Sequence, residues 1–345
     1  MTGFLRKNAA ALAMVFFVVS FYSLLYFSHR AAEKETPAGG VKKTERLSSE
    51  DLKRKEEKFK KNIQAKPEVM AAVSLGFLAV LAAGFVTDLT VLIQKSRGAF
   101  SIPRTRDHTD VPWGLQEVLF IYAFLFFAEA VIVFCEILAG AVFHLTFVEK
   151  DLFLMLNSLL RDVFVAGIVV LLVTRKFRVP LSEIGLTLRH FFKNIWLGFA
   201  GYVAILPLLL LVLFVLAALA QVFKYEPKPQ PVVEIYLMET KEHFLVFFTF
   251  FVAIVGPVIE EIFFRGFTYK AFRARYGIRW AVIGSALIFA ALHMNVMAFV
   301  PIFTLGIFLA YLYEKTGSLV PCMTVHVLHN LIMVSLTLGF KSLSV

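Results

Sequence analysis

At 345 residues the chain is long enough for two soluble domains, yet 59% of it is apolar and only 17% charged, and its mean hydropathy is +0.76. A soluble domain is nearer half apolar and about a quarter charged, so this balance excludes the soluble classes and points to a polytopic membrane protein. Two Cys exclude a disulfide scaffold and a Cys-rich zinc site, and the net charge of +10 sits mainly in short loops, where it reads as a topology signal and as contact with membrane lipids, not as a nucleic-acid surface.

In chain order, the first apolar run is Ala9 to Ser28, after Arg6 and Lys7. It is long for a signal-peptide core and no A-x-A site follows, so residues 1–28 are expected to be a signal anchor. Residues 29–69 form a charged polar segment, with 12 Lys/Arg and 8 Asp/Glu between His29 and Glu68. In it Ser48 precedes Asp51 with capping-box spacing. Leu52, Phe59 and Ile63 give a thin apolar stripe, which is read as part of a spacer in preference to a headgroup-skimming helix. Apolar runs follow at 70–94, 117–144, 153–174, 195–223, 244–267, 280–293, 297–313 and 319–340. The expectation is an all-α transmembrane helix bundle of eight to nine spans. The domain reading is 1–28 anchor, 29–69 polar segment, 70–243 N-terminal transmembrane helices and 244–340 catalytic core. The short runs between Trp280 and Tyr313 also fit a broken pair turning at Met294 to Met297.

Basic residues concentrate in the 95–116, 175–194 and 268–279 loops, which alternate with the others. The positive-inside rule then places the N-terminus inside and the C-terminus outside. The Lys-rich 29–68 segment falls outside and is the one discordant loop. No internal repeat is visible.

Charged groups at bilayer depth are costly and face a partner or a cavity. One group is Glu129, Glu136, Arg161 and Asp162 in the third and fourth spans. Glu136 and Arg161 lie at similar depth and are expected to form a structural ion pair. The denser group is Glu260, Glu261 and Arg265, then Phe289 and His293, then His326, His329 and Asn330. Glu261 and Arg265 are one helical turn apart and can pair; Glu260 is turned away for another partner. His326 and Asn330 share a face. His329 lies beside it and reads as interhelical support, and Phe289 as a pocket wall. Gly256-Pro257 before the glutamates kinks the helix and frees a carbonyl.

A carboxylate in apolar surroundings is a stronger base and, beside a His, can take a proton from water. A His and an Asn on a facing helix can hydrogen-bond a developing oxyanion. These groups suit water attack on an amide. They also suit zinc, although H-E-x-x-H is absent. Cys322, one turn before His326, reads as packing.

At these residues the sequence resembles the CAAX-protease and bacteriocin-processing (CPBP, or Abi) family of intramembrane glutamic endopeptidases. Its three motifs, E-E-x-x-x-R, F-x-x-x-H and H-x-x-x-N/D, are met by Glu260-Glu261 with Arg265, Phe289 with His293, and His326 with Asn330, in order on successive apolar segments. The similarity covers about 244–335, and nothing in the first 170 residues takes part. The resemblance implies a four-helix catalytic core at the C-terminal end. Glu260 aided by His293 would activate water, His326 and Asn330 would form the oxyanion site, and Glu261 with Arg265 would fix the geometry. It implies no cofactor and no essential metal. The expected partners are a peptide or protein substrate, membrane-anchored or lipidated members included, and membrane lipids, with no nucleic acid.

The expected function is thus intramembrane peptide-bond hydrolysis, by CAAX-like C-terminal or membrane-peptide processing. A non-catalytic scaffold or immunity protein of the same family is one alternative. A proton-coupled transporter using Glu129 and Glu136 is another. Depth raises a difficulty: Glu260 and His326 lie ~10 Å from the inner face, but His293 would lie ~20 Å deep if its span began at Trp280. The expectation is an interfacial turn near Ile278 to Ile283 that delays that span, with the site in a cavity open to the cytoplasmic side.

Overall fold

The computed structural model describes Leu47 and residues 49–107, 110–143, 159, 161–226 and 229–344. The expected first span, the 29–46 part of the polar segment, Ser48 and residues 144–158 lie outside them, as does the side chain of Glu136. Among the described residues the fold is all-helical, without a strand. Six helical runs there are long and apolar enough to cross a membrane. The chain divides into two compact units, residues 113–169, and residues 47–112 with 170–345.

In the larger unit, α1 (Ser49–Gln64) opens with Glu50 and Asp51, which favour the positive end of the helix dipole. It is more than the expected spacer. Phe59 packs on Phe340 with ring centroids 5.1 Å apart, and Asn62 Nδ2 donates to the Leu343 carbonyl at 2.9 Å. The sparse stripe of the sequence is therefore a docking face. α2 (Pro67–Ser96) starts with Pro at its first turn, where the missing N–H costs nothing. Only 6% of its most apolar window is buried within the protein, so its surface suits lipid. It touches its neighbour where Gly84 faces Pro207.

The smaller unit holds α3 (Leu115–Phe143) and most of α4 (161–171). Phe124 stacks on Phe164 at 5.6 Å. Arg161 Nη1 donates to Glu129 at 3.2 Å and Nε to Asp162 at 3.2 Å. The charge is met by these two carboxylates; the expected pairing with Glu136 lies outside the described side chains.

In the larger unit again, α4 runs into a π turn, Leu172–Lys176, and a short 3-10 turn, Leu181–Ile184. α5 (Phe191–Val222) lays Gly198 so close to the helix carrying Thr324 that a Cβ would come 2.6 Å from that residue. Small residues at such crossings let membrane helices approach closely. α6 (Pro231–Met238) is short.

The stretch expected to be the core begins with α7 (Glu242–Phe250). It continues through a π turn (Phe251–Val255), α8 (Gly256–Glu261), a second π stretch (Ile262–Tyr269) and α9 (Lys270–Leu292). The expected loop at 268–279 is instead helical as far as Tyr276. The chain turns only at Gly277, with φ 78° and ψ 177°, a conformation essentially confined to glycine. Helix resumes at once with Ile278, so no interfacial turn spans 278–283. The reason is local: Lys, Ala and Arg in KAFRAR interrupt the hydropathy but are good helix formers. The two arms fold back on each other. Phe264 meets Phe289 edge to face at 5.0 Å, and Gly284 lies against the Phe272 ring. Met294 and Asn295 then make the expected tight turn. Met294 adopts φ 49°, and Asn295 Oδ1 accepts from Ala298 N at 2.9 Å as the cap of α10 (Val296–Thr316). Gly317, φ 64°, ends that helix, and Ser318 caps α11 (Leu319–Leu343).

The three basic loops of the sequence meet at one end of this unit. Thr105 N donates to Thr316 O at 2.7 Å and Leu319 N to Gly185 O at 2.9 Å. Arg106 pairs with Glu183, and Arg273 Nε reaches Glu314 at 3.0 Å. At the other end of α11, α1 and Glu239 gather around residues 340–343.

Candidate active site

The two adjacent glutamates sit where α8 meets the second π stretch, and they face different surroundings. Glu261 is fully buried, whereas the Glu260 side chain keeps 32% exposure, so only Glu260 is open to an incoming molecule. Arg265, one turn on and also fully buried, donates from Nη1 to Glu261 Oε1 at 2.7 Å. Its Nη2 donates to the Gly306 carbonyl at 3.2 Å. Gly306 allows this because α10 passes tightly there: a Cβ would stand 3.3 Å from the Phe289 ring and 3.1 Å from Ala286. The guanidinium lies over Phe289, 4.6 Å from its centroid, an arrangement that stabilises a cation.

His326, on α11, is the hinge of the cluster. Its Nδ1 lies 3.0 Å from Glu261 Oε1 and its Nε2 lies 3.6 Å from Glu260 Oε2. The first contact is a hydrogen bond that sets the ring plane. The second is longer than a direct bond and fits one small oxygen shared between the two groups. Asn330, one turn later, donates from Nδ2 to the Val252 carbonyl at 3.0 Å. Two polar contacts thus hold α11 along the 252–261 stretch.

His293 ends α9 and pairs its Nδ1 with the Phe289 carbonyl at 2.8 Å. A carbonyl only accepts, so Nδ1 carries the proton and Nε2 of the neutral ring is the acceptor. Phe289 stands between the two histidines, edge to face with His293 at 4.9 Å and with His326 at 5.5 Å. The expected pocket wall is thus also the common support of His293, His326 and Arg265.

The hairpin at Gly277 answers the depth difficulty. Glu260 and His293 stand almost equally far along its two arms, and the Phe264–Phe289 contact fixes that register. His326 lies seven residues, ~10 Å, along α11 from its start at the basic end.

His329 does not join this group. It faces the Tyr202 hydroxyl of α5 at 3.5 Å, consistent with interhelical support. Cys322 Sγ donates to the Leu309 carbonyl at 3.3 Å and is buried, a packing role. Pro257 signalled that a carbonyl is freed, but sequence reasoning missed that Val252 O is the one Asn330 takes and that Gly306 O receives Arg265. It also missed Glu314, which joins Tyr269 at 2.7 Å and Arg273 at the basic end. Its one signal was a lone acid closing an apolar run. Among the described residues no three His, Cys, Asp or Glu side chains are arranged to hold a metal ion.

Residues 242–332 match the family model described as Type II CAAX prenyl endopeptidase Rce1-like. No curated protein and no solved structure gives a significant match. The matched stretch runs from α7 into α11 and contains all three motifs. That stretch, at the C-terminal end of an integral membrane protein with six described runs suited to crossing a bilayer, is similar to the CAAX-protease (CPBP) family.

Proposed function

We propose that the chain is a membrane-embedded glutamic endopeptidase whose Glu260 activates water for attack on a peptide bond. The observation that carries this reading is His326 between two neighbouring glutamates, with the inner one neutralised by Arg265. Arg265 pairs with Glu261 through Oε1, and the same oxygen orients His326. Glu260 is left as the accessible carboxylate beside the attack position.

In this reading Glu260, with the Nε2 lone pair of His293 nearby, takes a proton from water as its oxygen bonds to the scissile carbonyl carbon. The carbonyl oxygen becomes an oxyanion and receives hydrogen bonds from the second N–H of Asn330 and from His326 Nε2–H, the latter in the doubly protonated form of the ring, whose Nδ1–H stays on Glu261. Glu260 then returns its proton to the leaving nitrogen, the C–N bond breaks, and a carboxylic acid and an amine result. Glu261 and Arg265 hold the frame throughout.

The substrate class is a peptide or protein held at the membrane, lipidated C-terminal segments of CAAX type included. The positive-inside rule assigns the basic end of the fold to the cytoplasm. The site lies nearer that end, so substrate enters from the cytoplasmic side.

The test uses the full chain in detergent with a farnesylated peptide ending in a CAAX sequence, and membrane peptidomes of cells carrying the same variants. Glu260→Gln and His293→Ala are expected to abolish cleavage at normal protein levels. Cleavage that survives both substitutions, or that is lost to a chelator and restored by zinc, contradicts the mechanism. A scaffold of the same family would keep its phenotype in both variants.

A further inference from the structure

The main chain around Val252 is built to hold Asn330. An α-helix would direct the Gly256 N–H to the Val252 carbonyl. In the π turn that N–H goes instead to Phe251 O. In π register the donor for Val252 O is residue 257, and that residue is Pro257, which has no N–H. Both helical donors therefore pass Val252 by. A partly buried carbonyl at membrane depth, away from water and without a donor, is costly, and Asn330 Nδ2 fills the position at 3.0 Å. A carboxamide nitrogen has two N–H groups in one plane. Fixing one on a rigid carbonyl fixes the direction of the other.

We propose that Pro257 is a positioning residue for Asn330: by withholding an N–H it reserves the Val252 carbonyl as the anchor that aims the Asn330 amide into the site. The catalytic consequence rests on the endopeptidase reading; the anchor itself does not. A residue with an N–H at position 257 supplies the carbonyl from within the helix and leaves the Asn330 side chain unanchored.

The experiment is a double-substitution cycle on the full chain in detergent, read by thermal unfolding. Asn330→Leu is expected to lower Tm clearly in the native background, because it strands the Val252 carbonyl. In the Pro257→Ala background the same change is expected to cost less than half as much, because the new N–H already serves that carbonyl. Pro257→Ser is the second donor-bearing background should the alanine variant fail to fold. Equal drops in the native and variant backgrounds overturn the proposal. With the farnesylated CAAX peptide as probe, Pro257→Ala is expected to lower kcat about 10- to 100-fold with KM little changed. A loss confined to KM overturns the positioning role. Should Glu260→Gln cleave as fast as the native chain, the endopeptidase reading fails while the Tm cycle still decides the anchor.

Discussion

Glu261 and His326 meet inside the protein at 3.0 Å, through Oε1 and Nδ1, and the same carboxylate oxygen also receives Arg265 at 2.7 Å. Neither Glu261 nor Arg265 has any exposure. Removing one member strands the charge of the other, at a cost of about 3–5 kcal/mol. Glu261→Leu alone is expected to lower Tm strongly in detergent. The pair Glu261→Leu with Arg265→Met, which removes both charges, is expected to recover most of that loss while cleavage stays absent. Additive losses in the pair would show that the two side chains act separately.

Gly277 presents a different kind of sensitivity. A methyl group added there meets nothing within 4 Å, yet the residue sits at φ 78°. Gly277→Ala should therefore destabilise the hairpin by about 1–3 kcal/mol through backbone strain alone, and Gly277→Val by more. Thermal unfolding measures the first effect. A neutral alanine variant would mean that the arms turn elsewhere.

The docking of α1 rests on Phe59 against Phe340 and on Asn62 at the Leu343 carbonyl. Phe59→Ala removes the ring contact and is expected to expose residues 49–66 to added protease several-fold faster, leaving the 242–332 core intact. An unchanged cleavage rate would show that the helix is held by other contacts.

Arg161 between Glu129 and Asp162 has the form of a structural centre. Arg161→Met leaves two carboxylates at membrane depth without their cation, a cost of about 2.5–3.5 kcal/mol. The expected result is less folded protein at unchanged peptidase activity per folded molecule. Proton coupling that disappears with Glu129→Gln would favour a relay instead.

Much of this fold can be read from the chain because its chemistry is written in side chains. The apolar runs mark α2, α5, α10 and α11 within a few residues, since burial in lipid demands apolar length. The spacing of Glu261 with Arg265 announces their ion pair, and Pro257 announces a freed carbonyl. What escapes is set by the backbone and by tertiary contact. Two π stretches flank the glutamates, and no residue pattern distinguishes that winding from an ordinary helix. The 270–276 arm looks like a loop because hydropathy senses its charges and not its helix propensity. α1 looks like a spacer because a three-residue stripe acquires meaning only when Phe340 lies opposite. That Glu129 also meets Arg161 depends on helix rotation, which depth counting does not capture.

The hairpin centred on Gly277 also limits how this stretch of gene can change in length. Each residue adds ~1.5 Å and ~100° to a helix. One extra codon between Gly277 and His293 swings the imidazole off the glutamate arm, whatever amino acid it encodes. Insertions and deletions here are tolerable only in matched sets on both sides of the turn, whereas substitutions along the outer faces of the arms are comparatively free.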